Sequence, residues 1–202
     1  MKVPVPEKPL DKVFAMVTPY HYLRKLHWEV EGLRKSTVPS ADFDAHLTAA
    51  YHAFNCAITA WHMVDWVWES LDAAERQELS KSLGMQVADG SLFRNSMRSA
   101  SRAINCCRDI ATGSKHKIVA RGGDPEVRAV LEWDQTHFTC ESSVGEPLVQ
   151  YRARLMVHDG YGARPALEVF EEAFDFWYRL FEQLGWAEDR LITGSTDDIG
   201  GQ

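Results

Sequence analysis

Along most of this chain, apolar residues recur every three or four positions, which is the spacing of an α-helix buried on one face. The clearest helix start is at Thr18, a typical N-cap residue, followed by Pro19, which is favoured at the first helical position. From there the apolar positions follow the helical period: Tyr20, Leu23, Leu26, Val30 and Leu33. The pattern therefore predicts that residues 10–35 are helical, with a helix start at Thr18-Pro19.

Further helices are expected from the same period and from the residues that end helices. They are a long helix over about 41–71, a short one that ends near Leu83-Gly84, one over about 91–112 that Gly113 stops, and a last one that begins at Arg164-Pro165. The long second helix is expected to be the most buried element. Its predicted core residues are Phe54, Ile58, Trp61, Val64 and Trp68.

Before the last helix the period changes from that of a helix to that of a strand. Apolar residues at 149–157 alternate with mostly polar ones, which is typical of a half-buried strand, and Asp159-Gly160 begins a turn. Residues 117–121 and 127–139 also contain plausible strands. The predicted fold is therefore mostly α, of the α+β class: a helical bundle with a small antiparallel β-sheet inserted before the C-terminal helix.

Composition indicates one globular domain over residues 1–202, with an extended lead at 1–9 and a disordered tail at 194–202. The chain is 45% hydrophobic and 25% charged. The first residues of the sequence lack the apolar segment of a signal peptide. The stretch 45–64 contains no charged Asp, Glu, Lys or Arg but includes three histidines, and these polar side chains favour a buried helix over a membrane span. The four cysteines form no C-x-x-C pair. We therefore expect reduced thiols, a cytoplasmic location and no membrane contact.

Positive charge is concentrated between residues 91 and 123, where seven basic residues accompany one acid although the whole chain carries a net charge of −7. On a continuous helix, Arg94, Arg98, Arg102 and Asn105 would share one face. One interpretation is a surface that binds phosphate or nucleic acid. The other is internal pairing, because residues 36–75 contain six acids and no Lys or Arg.

Two places in the sequence could carry acid–base chemistry. His62 and Asp65 are three residues apart on the long helix, so the carboxylate could orient the imidazole of a general base or a metal ligand. The alternative is a hydrogen-bonded core histidine. At the predicted helix exit, Lys115 and His116 could reach a ligand beside Arg108, or they could simply be cations that the helix dipole favours at a C-terminus.

Several motifs with a defined chemistry are missing from the sequence. It has no G-x-x-x-x-G-K-[ST], no G-x-G-x-x-G, no G-x-S-x-G and no H-E-x-x-H. The spacing of the histidines does not match a zinc finger, and there is no Glu-x-x-His pair for a di-iron site. We therefore expect neither a metal nor a cofactor.

The helical bundle, the basic helix and an Arg followed by a His together resemble the HEPN superfamily of prokaryotic ribonucleases and nucleotide-binding proteins. That family has an Arg-x4–6-His motif, usually paired across a dimer, that cleaves RNA without a metal. The matching residues here are Arg108 and His116, separated by seven residues, with Asp109 next to the arginine. The Ser114-Lys115-His116 junction also resembles that of bacterial and phage proteins of no known function.

The resemblance implies an RNA- or nucleotide-directed protein, and a homodimer. In such an enzyme, a metal-independent ribonuclease, Arg108 would bind phosphate and His116 would be the general acid or base. Lys115 would stabilise charge in the transition state, and His62 and Asp65 would complete the pocket. Arg94, Arg98 and Arg102 would follow the substrate backbone, together with Asn105. The alternative is a non-catalytic interaction or oligomerisation protein that uses complementary acidic and basic faces.

Overall fold

The structure is a computed structural model that describes residues 16, 18–36, 43–82, 84, 88–115, 123–138 and 148–186. Its elements follow the predicted order, with helices first, then a small antiparallel sheet, then a last helix. They are α1 (Pro19–Ser36), α2 (Phe43–Ser70), α3 (Ala73–Ser82), α4 (Gly90–Ala100), α5 (Arg102–Lys115), β1 (Val127–Phe138), β2 (Leu148–Asp159), β3 (Ala163–Pro165) and α6 (Ala166–Gln183). The predicted fold class is confirmed.

The start of α1 is the predicted one. Thr18 precedes Pro19, and its hydroxyl oxygen accepts a hydrogen bond from the backbone N–H of His21 at 3.4 Å, as an N-cap residue does. The five apolar residues that defined the helical period are all buried: Tyr20, Leu23, Leu26, Val30 and Leu33. This face of α1 packs on α2, so the pattern of the sequence identified the packed surface correctly.

The helix predicted over 91–112 is wrong in two respects. It is divided into α4 and α5 at Ser101, whose backbone is extended with φ −141° and ψ 120°. Ser101 closes one helix and opens the next, because its N–H donates to the Met97 carbonyl and its hydroxyl accepts from the Ile104 N–H at 3.3 Å. Gly113 does not stop α5, which continues to Lys115. An exposed interior glycine costs a helix only about 1 kcal/mol relative to alanine.

The three strands form an antiparallel sheet in the order β1-β2-β3. The long strands pair from Val127 opposite Asp159 to Phe138 opposite Leu148. Val157 is buried and Leu155 packs against the core, so the predicted alternation is confirmed where side chains are described. At the following turn Gly160 has φ +83°, and a Cβ there would lie 3.1 Å from that of Glu126, so a glycine is required.

The core lies between α1, α2, α5 and α6, and small residues occupy the centre of the α2 face that it contacts. Ala57 and Ala60 are fully buried there, and Trp177 of α6 fills the space, its indole N–H donating to the Ala60 carbonyl at 3.0 Å. Among the predicted α2 core residues, Val64 is 1% exposed, but Phe54 is 41% exposed. The other three are partly buried: Ile58, Trp61 and Trp68.

The error has a geometrical cause. Phe54, Trp61 and Trp68 are seven residues apart, so at about 100° per residue they follow one flank of α2, roughly a quarter turn from the buried centre. Their large apolar side chains made these three residues the expected core positions. The buried centre of the α2 face instead carries small side chains, which let the neighbouring helices approach closely.

Some predictions fall on parts of the chain outside the described residues. These are the extended lead at 1–9, the strand at 117–121 and the tail at 194–202. Within the described ranges, none of the helices combines the length and the apolar character that crossing a membrane requires. The described cysteines, Cys56, Cys106 and Cys107, are buried free thiols, as expected.

Candidate functional site

His62 is half-buried on α2, and three charged residues act on it. Burial lowers the pKa of His62, the positive charges of Lys115 and Lys25 lower it further, and the carboxylate of Asp65 opposes them. A histidine whose pKa is below its usual range is neutral at pH 7, so a ring nitrogen is available to accept a proton. The structure therefore brings two of the predicted residues, Asp65 and Lys115, into the electrostatic environment of His62.

Asp65 forms an ion pair with Arg94. The Nε of Arg94 lies 2.8 Å from Oδ1 of Asp65, and both side chains are about half exposed. This contact joins the predicted basic stripe to the acidic long helix, as the internal-pairing interpretation expected. An exposed pair of this kind contributes only about 0–1 kcal/mol, so it can be exchanged for another ligand at little cost.

Lys115 ends α5 and is exposed, and its positive charge acts on His62 of α2. Helices α2 and α5 pack against each other, which explains how a residue at the predicted helix exit can act on one of the long helix. His116 directly follows Lys115 in the sequence but lies outside the described residues.

The other residues of the basic stripe bind partners within the chain. Arg98 donates from Nε to the Asn105 amide oxygen at 2.8 Å. Arg102 donates to Asp124 Oδ2 at 2.5 Å and to the backbone carbonyl of Asp159, and Asn105 also donates to Asp124 at 3.2 Å. These hydrogen bonds connect the start of α5 to the segment before β1 and to the end of β2, so they have an evident structural role.

Arg108 is directed to the same end of the sheet. Its guanidinium donates to Oδ1 of Asp109, and the other carboxylate oxygen of Asp109 accepts the backbone N–H of Asp124 at 2.9 Å. Both side chains are largely buried, with 18% and 7% exposed. Arg108 thus helps to fasten the segment before β1 to α5.

The predicted site residues therefore divide into two groups. His62, Asp65, Lys115 and Arg94 share the face formed by α2, α4 and the end of α5, which we call the α2–α5 face. The other group makes hydrogen bonds to residues of α5, to Asp124 before β1 or to the end of β2: Arg98, Arg102, Asn105 and Arg108. A role in substrate binding stays a prediction for all of them.

Sequence reasoning missed Lys25, Glu29 and Thr59, which adjoin this face from its α1 side. Lys25 donates to the Glu29 carboxylate and to the Thr59 hydroxyl, the latter at 2.5 Å. Thr59 and His62 are three residues apart on α2, and that spacing was a usable signal. Lys25 and Glu29 lie on α1, and no spacing within the sequence connects them to a residue of α2.

Two concave regions of the described structure lie away from His62. A groove of about 650 Å³ between the α4–α5 junction and α6 contains Arg102 and Arg179 but also four carboxylates: Glu168, Glu171, Glu172 and Asp175. The excess of negative charge makes it a poor site for phosphate. A second cavity, of about 210 Å³, lies between α2 and the sheet and is lined by apolar residues, including Phe54 and Phe170.

In the part of the chain that the structure describes, no cluster of three or more His, Cys, Asp or Glu side chains is arranged to hold a metal ion. Comparisons with family models, with curated proteins and with solved structures find no match to this chain.

Proposed function

We propose that this protein is directed at RNA or a nucleotide and that the α2–α5 face is its site, acting on a phosphodiester without a metal in the manner of HEPN ribonucleases. The observation that carries the proposal is His62. It is half-buried, burial and the positive charges of Lys115 and Lys25 lower its pKa, and Lys25 is hydrogen-bonded to Thr59, three residues before it on α2. A neutral imidazole beside ammonium groups is suited to accept a proton next to a bound phosphate.

The corresponding reaction is an internal transesterification of RNA. The ribose 2′-oxygen attacks phosphorus while His62 takes the 2′-hydroxyl proton, and the bond from phosphorus to the 5′-oxygen breaks. A general acid gives a proton to the leaving 5′-oxygen, which yields a 2′,3′-cyclic phosphate and a 5′-hydroxyl end. His116 has the role of the acid, and Lys115 stabilises the charge that develops on the phosphorane-like transition state.

The basic residues contribute unequally to this proposal. Arg94 is about half exposed and is paired only weakly with Asp65, so a phosphate can replace that carboxylate. Arg98, Arg102 and Arg108 have partners within the chain, and freeing them would break contacts to Asn105, Asp124 or Asp109. The substrate backbone is therefore expected to run over Arg94 and Lys115, with Arg108 as the least accessible of the predicted phosphate ligands.

The test is cleavage of a short single-stranded RNA by the wild-type protein and by His62→Gln. We expect the substitution to remove cleavage while the melting temperature changes little. His27→Gln is a matched control, because His27 is another half-buried histidine with a lowered pKa, but its ring neighbour is Phe174 on α6. Cleavage that persists in His62→Gln, or that is lost equally in His27→Gln, would refute the assignment.

A non-catalytic interaction protein is the second candidate, and one observation favours it. Large aromatic side chains are exposed on the described surface, including Trp28 at 67% and Tyr51 at 61%. Exposed Trp and Tyr are typical anchors of protein interfaces. Sedimentation analysis decides between monomer and oligomer. If Trp28→Ser converts a wild-type dimer into a monomer while His62→Gln changes nothing measurable, the interaction function replaces the enzymatic one.

A further inference from the structure

Glu29 is the most unusual ionisable residue near the site. It is only 2% exposed, and one of its carboxylate oxygens accepts from Lys25 while the other has no hydrogen-bond partner among the described residues. Burying a carboxylate with half of its acceptor capacity unused is costly. Such a group is retained where it holds a neighbour that must stay in place.

That neighbour is Lys25, which is fixed by two contacts. Its ammonium group donates to Glu29 on the same helix and to the Thr59 hydroxyl of α2 at 2.5 Å. A lysine has three N–H donors, so one has no partner among the described residues, and the side chain is 37% exposed. A Lys that precedes its Glu by four residues is the less favourable order for helix stability, so stabilisation of α1 does not account well for the pair.

The remaining donor lies near the predicted base. Thr59 precedes His62 by three residues, and the two therefore share one side of α2. Lys25 is close enough for its charge to lower the pKa of His62, as is Lys115 from α5. The positive charges of two lysines on different helices thus act on the imidazole.

We propose that Lys25 is an anion-binding residue of this site, which gives its third N–H to a phosphate oxygen of the substrate, and that Glu29 and Thr59 are positioning residues that hold its ammonium group. The inference depends on the proposed function for the nature of the substrate. The binding of a phosphate oxyanion beside His62 can nevertheless be measured by itself.

The probe is inorganic phosphate, added at constant ionic strength while the imidazole signals of His62 are followed by NMR. A bound anion favours the imidazolium form, so phosphate should raise the pKa of His62 in the wild-type protein. Lys25→Gln should weaken phosphate binding about tenfold, which corresponds to about 1.4 kcal/mol. Lys35→Gln is the control, because Lys35 is an exposed lysine at the end of the same helix.

Thr59 provides a second, independent pair of variants. Thr59→Val keeps the shape but removes the hydroxyl that accepts from Lys25, and it should weaken phosphate binding several-fold. Thr59→Ser keeps the hydroxyl and should bind like the wild type. If Lys25→Gln and Thr59→Val lower the melting temperature but leave phosphate affinity unchanged, the cluster is only structural and the inference is overturned.

The outcomes also separate this inference from the proposed function. If phosphate binding depends on Lys25 but the wild-type protein cleaves no RNA, the anion site stands and the ribonuclease proposal fails. If RNA is cleaved and Lys25→Gln cleaves at the wild-type rate with unchanged KM, the function stands and the role of Lys25 is refuted.

Discussion

Replacing Arg102 with methionine tests whether the basic stripe serves the fold or a substrate. Arg102 lies at the start of α5 and connects that helix to Asp124, just before β1, and to the backbone carbonyl of Asp159 at the end of β2. Methionine has a similar aliphatic length and a comparable helix propensity. The variant therefore removes the guanidinium donors with little change in local packing.

The expected loss follows from these hydrogen bonds. A hydrogen bond to a charged group contributes about 1.5–3 kcal/mol, and Arg102 makes two of them. Solvent weakens the contribution, because the Arg102 and Asp124 side chains are 29% and 21% exposed. We therefore expect Arg102→Met to lower the free energy of unfolding by about 2–4 kcal/mol.

Urea denaturation measures this loss, with Arg24→Met as the matched control. Arg24 is exposed on α1, where such a change should stay within about 0.5 kcal/mol. If both variants lose the same small amount, the contacts of Arg102 do not hold the sheet on α5, and Arg102 becomes available as a substrate ligand. If Arg102→Met loses stability as expected, its RNA affinity must be compared under conditions where it remains folded.

Further predictions concern single contacts. The hydrogen bond from Arg102 lowers the pKa of Asp124 in the folded protein. The ionised carboxylate therefore stabilises the fold above its unfolded-state pKa, and this stabilisation is lost as the pH falls through its folded-state pKa. In urea titrations at several pH values, Asp124→Asn should reduce the loss of unfolding free energy at acid pH. Lys115→Gln removes a charge that lowers the pKa of His62, so that pKa should rise in an NMR titration, and the rising limb of any pH–rate profile should move to higher pH. Trp177→Phe removes the hydrogen bond to the Ala60 carbonyl and should cost about 1–3 kcal/mol in urea, and Trp177→Ala about 3–5 kcal/mol; a loss near zero for Trp177→Phe would mean that the indole N–H contributes nothing.

Periodicity alone predicted most of the fold, because burial on one face determines both helices and half-buried strands. The α1 stripe and the alternation at Leu155 and Val157 agree with the structure at each of those positions. The apolar period does not reveal a break between two helices when the apolar spacing continues across the break. Ser101 is such a case, since a single extended residue redirects the chain while its hydroxyl satisfies the next helix.

The candidate site was predictable only where its residues share one helix. His62 and Asp65 are three residues apart, and their proximity follows from helix geometry. Lys25 is 34 residues from Thr59, and its contact depends on how α1 packs on α2. The arginine stripe shows the opposite limitation, because its partners Asp124 and Asp159 lie in segments that only the tertiary structure brings to α5.

The balance of charge decides which of the two groups of cations is the better anion site. Around Arg102 the described basic residues are paired with carboxylates: Arg102 with Asp124, Arg108 with Asp109, and Arg164 with Asp159. Around His62 the described charges leave a positive excess: Lys25, Lys115 and Arg94 against Glu29 and Asp65. A phosphate that approaches the first group must displace buried carboxylates from their donors, and those carboxylates would repel it. At the second group it meets the Lys25 donor that has no partner among the described residues, the exchangeable ion pair of Arg94 with Asp65, and the neutral imidazole of His62. The arginines around Arg102 can therefore stabilise the fold while the α2–α5 face binds an anion.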